Sequence, residues 1–207
     1  LARASRVQAG VRIRLDKRIP AGGGLGGGSS DAATVLLGLN RLWDLDWSPD
    51  ALAEVGAGLG ADVPVFVRGC TAWGEGIGER LVPIDTVPAW FVVVSPRVQV
   101  STAAVFSDPQ LTRDTPVRRI PARFSGGGRN DCEEVVRRRY PEVSRALEWL
   151  SRFGKARLTG TGGCVFLACE DAARAHRIAA QCPPGFDAFT AASLQISPTL
   201  HEVAEQS

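Results

Sequence analysis

Pro20-Ala21-Gly22-Gly23-Gly24-Leu25-Gly26-Gly27-Gly28-Ser29-Ser30 is the stretch on which the reading of this chain turns. Its glycines permit backbone angles and close approaches that a Cβ forbids. On its N-terminal side Val11, Ile13 and Leu15 alternate with Arg12, Arg14 and Asp16, the period of a half-buried strand. On its C-terminal side Ala33, Leu36, Leu37, Leu39 and Leu42 form the apolar stripe of a helix over 32–42. Ser29, Ser30 and Asp31 are the residue types that cap a helix and fill its first turn. A glycine loop running into a helix start gathers unpaired N–H groups at the positive end of the helix dipole, which makes an anion site.

Three simpler readings of the loop fall short. A flexible linker needs no amphipathic structure abutting both ends. Gly22-x-Gly24-x-x-Gly27 fits the dinucleotide-binding pattern, but that unit also needs a second strand ending in an acid about 20 residues on. Here that position falls in Asp44-Leu45-Asp46-Trp47, between two helical stretches. A Walker loop requires Gly-Lys-Ser/Thr after the glycines, and none follows.

The remainder of the chain is ordinary in bulk. It has 207 residues, 44% hydrophobic and 22% charged, with a formal net charge of +2. That balance gives no electrostatic case for nucleic acid or a membrane as partner. The five cysteines, Cys70, Cys132, Cys164, Cys169 and Cys182, form no CxxC pair. With only His176 and His201 beside them they suggest reduced thiols in a cytoplasmic protein rather than a zinc site. The chain starts at Leu1 and contains no methionine, so a preceding segment is expected.

Further along, Ser48-Pro49-Asp50 opens a second helix with a cap and a proline at its first position. Leu59-Gly60-Ala61-Asp62-Val63-Pro64-Val65-Phe66-Val67 reads as a turn entering a strand, with Asp62 either capping the turn or serving chemistry. A strand is expected over 81–84, a linker over 83–88 and a strand over 90–94. A short helix follows over 101–106 and a Pro-, Gly- and Arg-rich loop over 109–128. Helices are expected over 131–139, 141–151 and 170–180. Extended runs cover 156–159, 164–169, 188–192 and 194–196. Gly160-Thr161-Gly162-Gly163 is a tight turn between two of these strands. Asn130-Asp131-Cys132-Glu133 suits a helix cap, and Phe106 by itself reads as core. The second half thus predicts helices packed on one face of a largely antiparallel sheet.

Lys17 through Ala33 resembles the second motif of the GHMP kinases. The segment around Asp62 is similar to the stretch that carries the family's catalytic aspartate. Leu158-Thr159-Gly160-Thr161-Gly162-Gly163-Cys164 resembles its third glycine motif, and the three occur in the family's order. The resemblance implies an α+β, two-domain GHMP kinase fold. Its ribosomal protein S5 domain 2-like N-terminal domain, here incomplete, would cover 1–84, and a ferredoxin-like C-terminal domain 85–207. It also implies ATP and Mg²⁺, with residues Pro20 to Ser30 and the turn Thr159 to Gly163 around the phosphates. Asp62 would be the general base and Ser30 a candidate Mg²⁺ ligand. The family pairs this aspartate with a lysine from a first motif, and neither Lys17 nor Lys155 stands in a matching context. The triple-glycine form of the loop resembles the branch whose acceptor is a cytidine-diphosphate-linked sugar alcohol of isoprenoid precursor synthesis, phosphorylated at its 2-hydroxyl. In that branch Thr102 and Phe106 match positions facing the cytosine. A related kinase for another small alcohol, and an inactive nucleotide-binding fragment, remain open alternatives. Oligomeric state is left open.

Overall fold

A computed structural model describes residues 1–76, 78, 80–116, 123–124 and 128–200. His201 and parts of the expected 109–128 loop lie outside them. The first half is mostly helical: α1 (Ala2–Ser5), α2 (Gly27–Leu42), α3 (Pro49–Ala57) and α4 (Val63–Arg68). Helix α2 turns Ala33, Leu36 and Leu37 inward, spaced at i, i+3 and i+4 as one helical face requires. They pack with Leu52, Ala53, Val63 and Val67 in a compact cluster. Ser48 caps α3 as expected, its Oγ accepting from the Ala51 N–H at 3.2 Å.

The second half carries β4 (Trp90–Ser95), α5 (Thr102–Phe106), α6 (Glu133–Arg139), α7 (Pro141–Ser151), β6 (Arg157–Leu158), β7 (Val165–Cys169), α8 (Ala172–Ala179) and β8 (Asp187–Ala192). The four strands form one antiparallel sheet in the order β6-β7-β4-β8. That is the strand order and β-α-β-β-α-β succession of a ferredoxin-like unit. Helices α7 and α8 pack on the sheet. Val143, Ala146, Leu147 and Leu150 of α7 are buried and meet Val92, Val94, Val165 and Leu167 in the larger core. Each fully buried side chain of this size contributes about 1.5–3 kcal/mol. Between the halves lie β1 (Ala72–Glu75), which hairpins with β2 (Arg80–Pro83), and β3 (Asp85–Thr86), which pairs in parallel with β5 (Arg123–Phe124).

Five expectations are corrected. Residues 11–16 form no strand; Val11, Ile13 and Leu15 are exposed at 45%, 55% and 57%. An alternating pattern specifies a face, but a strand also needs a hydrogen-bonded neighbour, and no described residue supplies one. The 63–67 run is helix α4, not a strand. Pro64 stands in its first turn, where a missing N–H costs nothing, and the buried Val63, Pro64 and Val67 lie at helical spacing. Helix α2 begins at Gly27 rather than at 32, and its N-cap is Gly26, with no side-chain cap from Ser29, Ser30 or Asp31. The expected linker over 83–88 contains β3. Residues 194–196 contribute only a bridge between Ile196 and Cys70.

Candidate active site

The glycine loop lies against the second glycine turn, main chain to main chain. The Cys164 N–H donates to the Gly23 carbonyl at 2.9 Å. The Thr159 hydroxyl reaches the same carbonyl at 2.6 Å and the Cys164 carbonyl at 2.9 Å, so its one proton is shared between two acceptors. Gly24 and Gly163 show why no side chain fits. A Cβ on Gly24 would stand 2.4 Å from the Thr159 carbonyl oxygen, and one on Gly163 would stand 2.2 Å from that of Gly22. Both also hold positive φ, +71° and +104°, conformations that glycine adopts without strain.

Above this contact the loop encloses a cavity of about 250 Å³ lined by Lys17 and by Pro20 through Ser29. The loop enters α2 with Gly27 and Gly28 as its first residues. The first α-helical bond across this junction is donated by the Ser30 N–H to the Gly26 carbonyl at 2.9 Å. The amides of Gly27, Gly28 and Ser29 precede the first helical donor, the Ser30 N–H, and have no helical partner. Three N–H groups at the positive end of a sixteen-residue helix fit an anion. Lys17, not assigned from sequence, is ion-paired with Asp31 beside this helix start. Its side chain comes within 3.7 Å of where a Gly27 Cβ would be.

Asp62 stands at the start of α4, on a segment held to the loop on both sides. Two residues before it, the Cβ position of Gly60 lies 4.0 Å from Ser29 Oγ; four residues after it, the Phe66 ring covers Gly26. The Asp62 side chain caps nothing in α4, and Asp62 is exposed. The turn-cap alternative for this aspartate therefore fails, and its residue is open to solvent.

Other sequence-selected residues also meet the second turn. The Thr102 and Thr161 hydroxyls are 2.8 Å apart, which joins α5 to the Gly160–Gly163 turn. Phe106 is 56% exposed and so is not a core residue. Asn130 does not cap α6, whose N-cap is Cys132 with no side-chain cap; it bonds elsewhere. Its Oδ1 accepts from the Cys132 N–H at 3.0 Å, while its Nδ2 donates to the Gly160 carbonyl at 2.7 Å and to that of Leu158 at 3.3 Å. It thereby braces the second turn from 30 residues away, a contact with no local sequence signal. Burial pushes the Cys164 thiol above its ordinary range, against a hydrogen bond with Ser95 that lowers it, which suits a packing residue rather than a nucleophile. Among the described residues no group of three or more His, Cys, Asp or Glu side chains is placed to hold a metal ion. No helix there is long and apolar enough to cross a membrane.

A glycine-loop cavity at a helix N-terminus, a second glycine turn locked to it and an exposed carboxylate at the start of the neighbouring helix α4 fit a small-molecule phosphotransferase. The GHMP kinases N terminal domain family matches residues 1–70 and the GHMP kinases C terminal family matches residues 119–185; the chain belongs to the GHMP kinases. Within that family it is 53% identical over 205 residues to 4-diphosphocytidyl-2-C-methyl-D-erythritol kinase of Pseudomonas aeruginosa, covering 99% of this chain and 72% of the relative. The enzyme of the same name from Chromohalobacter salexigens is 53% identical over 208 residues, covering 98% of this chain and 70% of its own. A crystal structure of 4-(cytidine 5'-diphospho)-2C-methyl-D-erythritol kinase superposes with a TM-score of 0.74 at 32% identity, over 92% of this chain and 74% of that one. A homoserine kinase from Cytophaga hutchinsonii shares the fold, with a TM-score of 0.58 at 13% identity over 87% of this chain and 69% of that one.

Proposed function

We propose that this chain transfers the γ-phosphate of ATP to the 2-hydroxyl of 4-diphosphocytidyl-2-C-methyl-D-erythritol, the phosphorylation step of non-mevalonate isoprenoid precursor synthesis. The observation that carries this reading is the cavity of about 250 Å³ formed by the glycine loop at the start of α2, with the Asp62 segment packed against that loop. The loop amides hold the phosphates of ATP, and Thr159 through Gly163 form the second wall. Asp62 takes the proton of the attacking hydroxyl as the new oxygen–phosphorus bond forms and the bond to the leaving ADP breaks. A positioned base of this kind contributes about 10²–10⁴-fold, and charge-matched positioning supplies most of the rest. Mg²⁺, when bound, neutralises charge on the phosphate oxygens. The Ser30 hydroxyl is the group that would hold it, in keeping with an ion ligated mainly by substrate phosphates. Thr102 and Phe106 receive the cytosine, Phe106 by stacking. The unit around the loop and Asp62 occupies 1–84, and the sheet-bearing unit occupies 85–207.

The test is Asp62→Asn, read by steady-state turnover and by calorimetric binding of a non-hydrolysable ATP analogue. Turnover falls about 10²–10⁴-fold while nucleotide affinity is retained. Full turnover in Asp62→Asn rules out the base assignment.

A further inference from the structure

Helix α5 presents Phe106 to solvent, yet it is only five residues long, too short to hold its own shape in water. Its ends are fixed from outside. Ser101 Oγ accepts from the Ala104 N–H at 3.2 Å at one end. At the other, two guanidinium groups bind its carbonyls. Arg139 Nη1 donates to the Ala104 carbonyl at 2.9 Å, and Arg113 Nη2 donates to the Phe106 carbonyl at 2.6 Å.

Both arginines converge on one carboxylate-bearing residue. Asp108 is 6% exposed, two residues after Phe106. Its Oδ2 accepts from Arg139 Nη1 at 3.1 Å, and its Oδ1 accepts from Arg138 Nη2 and from the Gln110 N–H, each at 2.9 Å. Its main-chain carbonyl accepts from Arg113 Nη2 at 3.2 Å. The Gln110 amide, with Arg138 and Arg139, holds the Asp108 carboxyl below the usual carboxylate range, against burial that raises it. A buried carboxylate with several donors and two cationic neighbours is fully satisfied, and it orients the guanidinium that caps α5.

We propose that Asp108 is a positioning residue for recognition of the acceptor substrate: its carboxylate holds Arg139 on the Ala104 carbonyl and so fixes α5 with the Phe106 ring ready to stack on a pyrimidine base. The assignment rests on the reading of Phe106 given above. Asp108 touches no reacting atom, so its removal acts on acceptor affinity and leaves nucleotide binding alone.

The experiment is a double-mutant cycle on the whole protein. Calorimetry gives Kd for 4-diphosphocytidyl-2-C-methyl-D-erythritol and, separately, for a non-hydrolysable ATP analogue. Phe106→Ala weakens acceptor binding about 10- to 100-fold, the range of base–aromatic stacking. Asp108→Asn weakens it about 3- to 10-fold, within the coupling seen between interacting residues. It leaves the nucleotide Kd in place, and it adds nothing in the Phe106→Ala background. Equal losses in both backgrounds, or none in either, overturn the positioning role while leaving the function intact. An unchanged Kd in Phe106→Ala overturns the stacking assignment and this proposal with it. If Asp108→Asn does not fold, Arg139→Ala takes its place in the cycle, because it removes the group that joins Asp108 to the Ala104 carbonyl from an exposed position and carries the same expectation.

Discussion

Residues 11–15 and residues 92–94 are both valine-rich or alternating β-forming runs, yet the molecule treats them oppositely. Val92 and Val94 are fully buried in the middle of the sheet, between β7 and β8 on either side and under α7 and α8. Val11, Ile13 and Leu15 stand in solvent. The contrast separates two things that a hydrophobic pattern mixes. Composition sets which face wants to be covered, and only tertiary neighbours decide whether it is. The second half contains its own neighbours in sequence order. The apolar face over 11–15 finds none among the described residues.

The comparison can be broken from either side. Leu150→Ala, which empties a fully buried site under the sheet, is expected to cost about 2–5 kcal/mol in a chemical denaturation experiment. A loss below 1 kcal/mol would mean that the second half is looser than its burial says. Gly163→Ala attacks the seam where the halves meet. Strained backbone at one residue costs about 1–3 kcal/mol, and the added methyl also pushes the loop off its carbonyl contact. We expect a lower thermal midpoint together with weaker ATP binding by calorimetry. A variant that melts earlier but binds ATP normally would detach the second turn from the phosphate site. Leu15→Ser should change stability by no more than about 0.5 kcal/mol, the range of surface substitutions. A cost near that of Leu150→Ala would show that its face is covered in solution.

The same distinction explains what could be seen in advance. The helices over 32–42, 49–57 and 141–151, and the strands around 90–95 and 165–169, follow from apolar spacing and proline position, which are local signals. The 63–67 run was expected to be extended because Val63, Val65 and Val67 alternate and favour strands intrinsically. Packing on α2 and a proline in the first turn overrode that preference. The glycine loop, Asp62 and the second turn were legible as separate motifs. Their assembly was not, because the Gly23–Cys164 and Gly24–Thr159 contacts join residues more than a hundred positions apart. The bracing role of Asn130 and the Asp108 cluster lie beyond local signals for the same reason: each joins groups about 30 residues apart whose nearness only the fold creates.

The seam between the two turns has a consequence for how this protein can drift. A methyl on Gly26 would meet the ring of Phe66, and one on Gly69 would meet the side chain of Leu200; trimming either neighbour makes room. What a methyl on Gly24 or Gly163 meets first is a carbonyl oxygen, which every amino acid carries. No second-site change of side chain can therefore rescue either position, and a suppressor screen starting from Gly24→Ala or Gly163→Ala should return mainly true revertants.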